Sequence, residues 1–201
     1  MFAPRPVPLA AMFPINVPNV LTVLRILLVP VLVVALLDQT PNGDVLAAIV
    51  FAVASMTDAV DGWLARRRQS ITTFGKLMDP LADKLLVIGA LLALVSLGRL
   101  AAWVAMVVIT REFAVTMLRM TASQAGVVTP ARALGKLKTV MQVAMVFALI
   151  LVHGSPVWLD ALVYATVAVT VLSGVDYFFG LRRSLAEART RHDRRLDPPA
   201  L

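Results

Sequence analysis

The chain contains no cysteine, and only 15% of its 201 residues are charged. The absence of cysteine excludes disulfide bonds and thiolate metal sites, so redox chemistry says nothing about the compartment. The shortage of charge, together with 59% hydrophobic residues and a mean hydropathy of +0.83, is far from the balance of a water-soluble domain. The sequence therefore predicts an integral membrane protein.

Six apolar runs predict an all-α protein with six transmembrane helices, since a helix needs about 20 apolar residues to cross a bilayer. Because Asp79 suits an N-cap and Pro80 a first turn, we expect the third helix to begin near Asp79. A removable signal peptide is not expected, because no apolar core precedes Pro14. The runs cover residues 20–37, 45–64, 85–97, 100–121, 134–152 and 157–179.

The 19 Lys and Arg residues predict the orientation. They fall at the amino-terminal end, after helices 2 and 4 and in the carboxyl tail, whereas the opposite loops contain only Arg99. The positive-inside rule then places both termini and the aspartate-rich stretch in the cytoplasm, and we expect the chain in the inner (cytoplasmic) cell membrane. The net charge is +7, and the basic residues lie at helix ends on one side of the membrane. This placement favours anionic membrane lipids over nucleic acid as partners. We divide the chain into a cytoplasmic segment 1–19, a six-helix domain 20–181 and a basic cytoplasmic tail 182–201.

Four of the twelve acidic residues lie in the stretch from the end of the second apolar run to the start of the third. Asp58 and Asp61 are three positions apart, and Asp79 and Asp83 are four apart, so each pair shares a helix face. Two such pairs can converge on one small volume, where bare carboxylates would repel each other. Oxygen ligands are what hard divalent ions such as Mg²⁺ or Mn²⁺ prefer. The aspartates therefore predict a metal site at the cytoplasmic ends of helices 2 and 3.

Small residues and an arginine accompany the aspartates. Gly62 and Gly75, and less completely Ala65, allow a ligand to approach the backbone closely. Arg66 can present its guanidinium to a phosphate, and Thr72 adds a hydroxyl. Together with metal ions, these residues describe a site for a diphosphate.

The pattern Asp-x-x-Asp-Gly-x-x-Ala-Arg, followed after eight residues by Gly-x-x-x-Asp-x-x-x-Asp, occupies residues 58–83. It resembles the signature of the CDP-alcohol phosphotransferase family at each of its eight fixed positions. The resemblance implies six transmembrane helices, a homodimer, two metal ions and an active site at the cytoplasmic ends of helices 2 and 3. It also implies CDP-diacylglycerol as the donor, release of CMP, and Asp83 as the general base.

Three further stretches bear on the substrates. In residues 16–25 the resemblance places Asn19 and Thr22 near the donor, and we expect an anionic partner for Arg25 because a charged residue inside a membrane span is unfavourable. In residues 109–120, Glu112 is expected to pair with one of Arg111 and Arg119, which leaves the other for substrate.

The third stretch is residues 135–139. Lys136 and Lys138 are two positions apart, so only one of them is expected to reach the site while the other meets lipid headgroups. The surplus of cations predicts a phosphorylated acceptor. The residues assigned to its phosphate are Arg25, Arg111, Arg119, Lys136 and Lys138.

These stretches resemble the phosphatidylglycerophosphate synthases within the family, which implies transfer of the phosphatidyl group to glycerol-3-phosphate. Other acceptors within the family, namely phosphatidylglycerol for cardiolipin synthesis or an inositol phosphate, stay open as alternatives. A divalent-cation transporter is a remote alternative, although its acidic residues would be spread across the bilayer. An inactive scaffold would not need the complete ligand set.

Overall fold

The computed structural model describes residues 17–38, 40, 42–68, 73–124 and 133–196, with side chains described for residues 20–38, 40, 42–57, 84–124 and 133–184. Over these ranges the backbone is all helical, which confirms the predicted fold class. The six helices are α1 (Val17–Leu37), α2 (Gly43–Arg68), α3 (Thr73–Ser96), α4 (Ala102–Gln124), α5 (Ala133–Leu151) and α6 (Val157–Leu196).

The helices are those of a multi-pass membrane protein. Among the described residues, three stretches are long and apolar enough to cross a membrane: Val20–Leu37, Ala133–Leu151 and Val157–Ser184. Shorter apolar stretches cover Gly43–Thr57 in α2 and Lys84–Ser96 in α3. Three spans are thus supported by length and composition, and six crossings stay a prediction.

The outer surface of the helices is apolar. Leu27, Val34, Met117 and Val140 are each at least 60% exposed, which a water-soluble protein would avoid over so many positions. In a bilayer, the same side chains face lipid tails.

Two helix boundaries differ from those expected from hydropathy. The expectation that the third helix begins near Asp79 is wrong, because α3 begins at Thr73 and includes both Asp79 and Pro80. Apolarity marks only the part of a helix that meets lipid, and residues 73–78 continue the helix beyond it. Helix α6 likewise continues beyond the last apolar run, which covers residues 157–179, and ends at Leu196.

The chain forms two compact units, and the first comprises residues 1–100 and 146–153. In it, α1 packs against both α2 and α3. Glycines permit this close packing: a Cβ at Gly43 would lie 2.6 Å from the Ala35 carbonyl oxygen, and one at Gly89 would lie 3.0 Å from Val29 Cγ1. The core of this unit includes the fully buried Phe51.

An ion cluster in the first unit links the amino-terminal end of α2 to the loop after α3 and to the end of α5 with the loop that follows it. Arg99 donates from Nη1 and Nη2 to the two carboxylate oxygens of Asp44 at 2.8 and 2.9 Å, and to the Ile150 carbonyl at 3.0 Å. His153 Nε2 lies 2.7 Å from Asp44 Oδ2. The hydrogen bonds from Arg99 hold the pKa of Asp44 below its usual value. Arg99, the one lysine or arginine among residues 38–44, 98–100 and 153–156, is therefore paired with a carboxylate.

The second unit comprises residues 101–145 and 154–201, and in it α4 packs against α6. One buried cluster is formed by Val115 and Ala122 of α4 with Tyr177 and Leu181 of α6. Polar side chains follow a neighbouring part of α6 at helical spacing and are also buried. These are Thr166, Thr170 and Ser173.

Candidate active site

The family-like signature lies at the adjoining ends of α2 and α3 in the first unit. Asp58 and Asp61 fall in α2, Asp79 and Asp83 in α3, and only four residues separate the two helices. So short a connection keeps the helix ends close together. The two carboxylate pairs thus lie on consecutive helices of one unit, and their convergence on one site stays a prediction.

The chemistry of these side chains stays a prediction, because the described side chains stop at residue 57 and resume at residue 84. Among the side chains that are described, no group of three or more His, Cys, Asp or Glu could hold a metal ion. Gly62, Ala65, Arg66 and Gly75 lie in helical backbone, and Thr72 lies outside the described residues.

The length of α2 decides whether the helix dipole acts on Asp58 and Asp61. A position at the carboxyl end of a helix would be unfavourable for an anion, but this effect is confined to the last turn. Asp61 lies seven residues before the end of α2 at Arg68. The helix dipole therefore gives no reason to expect a cation beside Asp58 and Asp61, and that expectation depends on carboxylate clustering alone.

Two residues of α1 assigned to the substrates are buried in the first unit. Thr22 and Arg25 are each 3% exposed and are three positions apart, so they share a face of α1. Both make polar interactions, so Arg25 does not snorkel to lipid headgroups. The side chain of Asn19 lies outside the described set. Since α1 packs against α2 and α3, Arg25 lies on a helix adjoining those that carry the aspartates.

The second unit contains a largely buried ionic trio. Arg111 Nη1 donates to Glu112 Oε1 at 3.0 Å, and Lys138 Nζ of α5 donates to the same oxygen. The side chains are 14%, 17% and 6% exposed in the order Arg111, Glu112, Lys138. One carboxylate thus serves two cations, and the formal charge of the trio is +1.

The prediction that Glu112 pairs with one of the two arginines of α4 is confirmed, and its partner is Arg111. Arg119 is exposed and lies over the Tyr177 ring, with Cζ 5.6 Å from the ring centroid, a distance that permits a cation–π interaction.

The two lysines of α5 differ in exposure as their spacing predicts. Lys138 is 5% exposed, whereas Lys136 is exposed. The structure thus brings Arg111 and Lys138 together and leaves Lys136 on the surface.

Ser173 and Tyr177, which contact the arginines of α4, were not foreseen. Arg111 Nη2 donates to Ser173 Oγ at 2.8 Å across 62 residues of sequence. The only signal in the sequence is the helical spacing of small polar residues within the last apolar run.

Comparison with known proteins gives consistent matches. The family model for CDP-alcohol phosphatidyltransferases matches residues 15–172. A Bacillus subtilis protein named CDP-diacylglycerol–glycerol-3-phosphate 3-phosphatidyltransferase is 41% identical over 181 residues, which cover 81% of this chain and 93% of the relative. A probable phosphatidylglycerophosphate synthase from Mycobacterium tuberculosis is 39% identical over 179 residues, with coverage of 87% and 85%. A Rickettsia bellii protein with the same name as the Bacillus relative is 36% identical over 172 residues, with coverage of 81% and 93%.

Proposed function

The chain belongs to the CDP-alcohol phosphatidyltransferase family, and from that premise we propose that it transfers the phosphatidyl group of CDP-diacylglycerol to glycerol-3-phosphate. The products are phosphatidylglycerophosphate and CMP. The names of the Bacillus and Rickettsia relatives support this acceptor. Within the structure, the observation that carries the proposal is the buried trio of Arg111, Glu112 and Lys138.

The trio suits a phosphorylated acceptor. A phosphate monoester carries a charge of about −1.5 to −2 at pH 7, and Arg111 and Lys138 contribute more positive charge than Glu112 contributes negative charge. A neutral alcohol would gain nothing from that charge. Arg25 and Arg119, and less directly the exposed Lys136, are the other cations that we assign to the acceptor phosphate.

The four aspartates would hold the metal ions. The family is generally dependent on divalent metals, and four carboxylates form the all-oxygen donor set that Mg²⁺ or Mn²⁺ prefers. We assign two ions to Asp58, Asp61, Asp79 and Asp83. When bound, such ions would neutralise charge on the donor diphosphate and on the departing CMP.

The remaining roles concern the donor and the proton. Arg66 would bind a donor phosphate with its guanidinium, and Gly62 and Gly75 would let the diphosphate approach the backbone. Asp83 would take the proton of the primary hydroxyl of glycerol-3-phosphate. The hydroxyl oxygen then bonds to the lipid-side phosphorus, and the bond from that phosphorus to CMP breaks. Asn19, Thr22, Ala65 and Thr72 complete the donor set.

The role of Asp83 can be separated from simple ligation. An ordinary aspartate has a pKa of about 3.9 and is a weak base, so its value as a base depends on its surroundings. If Asp83 is the base, Asp83→Asn loses most turnover while Mg²⁺ binding, measured by calorimetry, persists. Near-normal turnover with intact Mg²⁺ binding would contradict the assignment.

The orientation and assembly follow the same proposal. The basic loops predict that the aspartate end faces the cytoplasm, which is the side from which glycerol-3-phosphate would reach an enzyme in the inner membrane. A cysteine introduced at Ser155, in the same loop as His153, tests the orientation, because the chain has no other cysteine. Labelling of intact cells by a membrane-impermeant thiol reagent is the expected result.

We also propose that the enzyme is a homodimer.

The experiment that tests the function measures CMP release from CDP-diacylglycerol in detergent with Mg²⁺. Glycerol-3-phosphate, inositol phosphate, phosphatidylglycerol and no acceptor are compared, with Asp79→Ala as the blank. Release that requires glycerol-3-phosphate is the expected result. Release only with another acceptor would support the donor chemistry and contradict the assignment of glycerol-3-phosphate as acceptor. No release with any acceptor would favour a transporter or a scaffold.

A further inference from the structure

The side chain of Arg111 is oriented by α6. Its Nη2 donates to Ser173 Oγ at 2.8 Å, while Nη1 donates to Glu112 at 3.0 Å. A guanidinium has five N–H groups, so these two bonds leave three donors. The Nε atom is buried with no hydrogen-bond partner among the described residues. Two anchors thus fix the plane of the guanidinium while donors remain for an anion.

The hydroxyl of Ser173 can only accept a hydrogen bond from Arg111. Its single proton is donated to the Thr170 carbonyl at 3.0 Å, so a lone pair of Oγ faces the guanidinium. Ser173 is 3% exposed, and water therefore does not compete for this lone pair. A neutral acceptor of fixed direction orients Arg111 without neutralising its charge.

The next residue of α6 provides space for the same side chain. A Cβ added at Gly174 would lie 3.3 Å from Arg111 Cγ and 3.9 Å from Nε. The contact at 3.3 Å is tight, so the arginine would have to move. It has room to do so, because an open groove of about 430 Å³ beside it is lined by Arg111, Thr110 and Gly174 among others. A methyl group at residue 174 would therefore redirect Arg111 without opening the helix pair.

We infer that Ser173 and Gly174 are positioning residues that set the affinity for the acceptor phosphate by fixing the direction of the Arg111 guanidinium. The inference rests on the proposed function, in which Arg111 contacts that phosphate. Neither residue touches substrate. Their effect is therefore expected in the Michaelis constant for glycerol-3-phosphate more than in kcat or in the Michaelis constant for the lipid.

The test compares five variants in steady-state assays in which one substrate is varied while the other is saturating. Ser173→Ala and Gly174→Ala are each expected to raise the KM for glycerol-3-phosphate about tenfold, the effect of losing one charge-assisted hydrogen bond, with less than about a twofold change in kcat and in the lipid KM. Ser173→Thr retains the hydroxyl and should restore near-normal values. The matched control is Thr170→Val, because the Thr170 hydroxyl is buried on the same helix with no described hydrogen-bond partner.

Arg111→Gln distinguishes failure of the inference from failure of the proposed function. If Arg111→Gln raises the acceptor KM while Ser173→Ala and Gly174→Ala do not, the positioning role is overturned and the acceptor site stands. If Arg111→Gln leaves the acceptor KM unchanged, the positioning role and the contact of Arg111 with the acceptor phosphate are both overturned, whereas the proposed function fails only if the unchanged chain shows no CMP release that requires glycerol-3-phosphate. Equal changes in both Michaelis constants, or no recovery in Ser173→Thr, would show that Ser173 acts only on packing. Gly174→Ala decides the question if Ser173→Ala does not fold.

Discussion

The buried pair of Lys138 and Glu112 allows a quantitative prediction about stability. Glu112→Gln removes the only carboxylate of the trio and leaves Arg111 and Lys138 facing each other. Removing one partner of a buried ion pair costs about 3–5 kcal/mol. Lys138→Met removes one charge-assisted hydrogen bond but leaves Glu112 with Arg111, so we expect a smaller loss of about 1.5–3 kcal/mol.

These free energies convert to measurable shifts in melting temperature. A loss of 1 kcal/mol lowers Tm by roughly 2–4 °C in a chain of 150–250 residues. The expected decreases are therefore about 6–20 °C for Glu112→Gln and about 3–12 °C for Lys138→Met. Thermal unfolding of the purified protein in detergent, followed by intrinsic fluorescence, measures both.

A matched control and a double variant test whether the pair is the cause. Lys136→Met removes an exposed lysine two positions along α5 and should shift Tm by no more than about 2 °C. The double variant Glu112→Gln with Lys138→Met should be less destabilised than the sum of the single variants, because residues in contact are coupled. Additive losses, or equal effects of the Lys136 and Lys138 substitutions, would refute the reasoning.

Three other perturbations give separate expectations. Arg119→Ala should raise the KM for glycerol-3-phosphate by about tenfold and leave the lipid KM unchanged; equal effects in kinetic assays would make Arg119 structural. The pKa of Asp44 is lowered in the folded protein, so the ionised carboxylate stabilises the fold at pH values above its ordinary pKa, and this stabilisation is lost as the pH falls through the folded-state pKa. In Asp44→Asn, Tm should therefore decline less steeply below about pH 4. Gly43→Ala brings a Cβ to 2.6 Å from the Ala35 carbonyl and should lower Tm by about 2–12 °C, whereas Gly135→Ala, with nothing within 4 Å, should not lower it.

The order of the helices could be predicted from the sequence because each apolar run is separated from the next by polar residues. Their ends could not, since a helix continues through polar residues once its backbone bonds are formed. The extension of α2 to Arg68 and the start of α3 at Thr73 are examples. Hydropathy measures contact with lipid, and backbone hydrogen bonding decides where a helix ends.

Side-chain partners were predictable in kind and less so in identity. An acidic residue inside an apolar run had to meet a cation, and Glu112 does. Helical spacing alone would favour Arg119, seven positions away, but long side chains also reach sideways, and Glu112 pairs with the adjacent Arg111. The partners of Arg99 lie 51 to 55 residues away, beyond the range of any local pattern.

The difference between Ser173 and Glu112 connects packing with the proposed chemistry. Both accept a hydrogen bond from Arg111, yet only Glu112 offsets its charge. A second carboxylate at the position of Ser173 would make the trio electrically neutral and easier to bury in an apolar bundle, but would remove the attraction for an anionic acceptor. A hydroxyl satisfies one donor of the guanidinium and leaves the formal charge at +1. The arrangement orients Arg111 while preserving the charge that a phosphate would require.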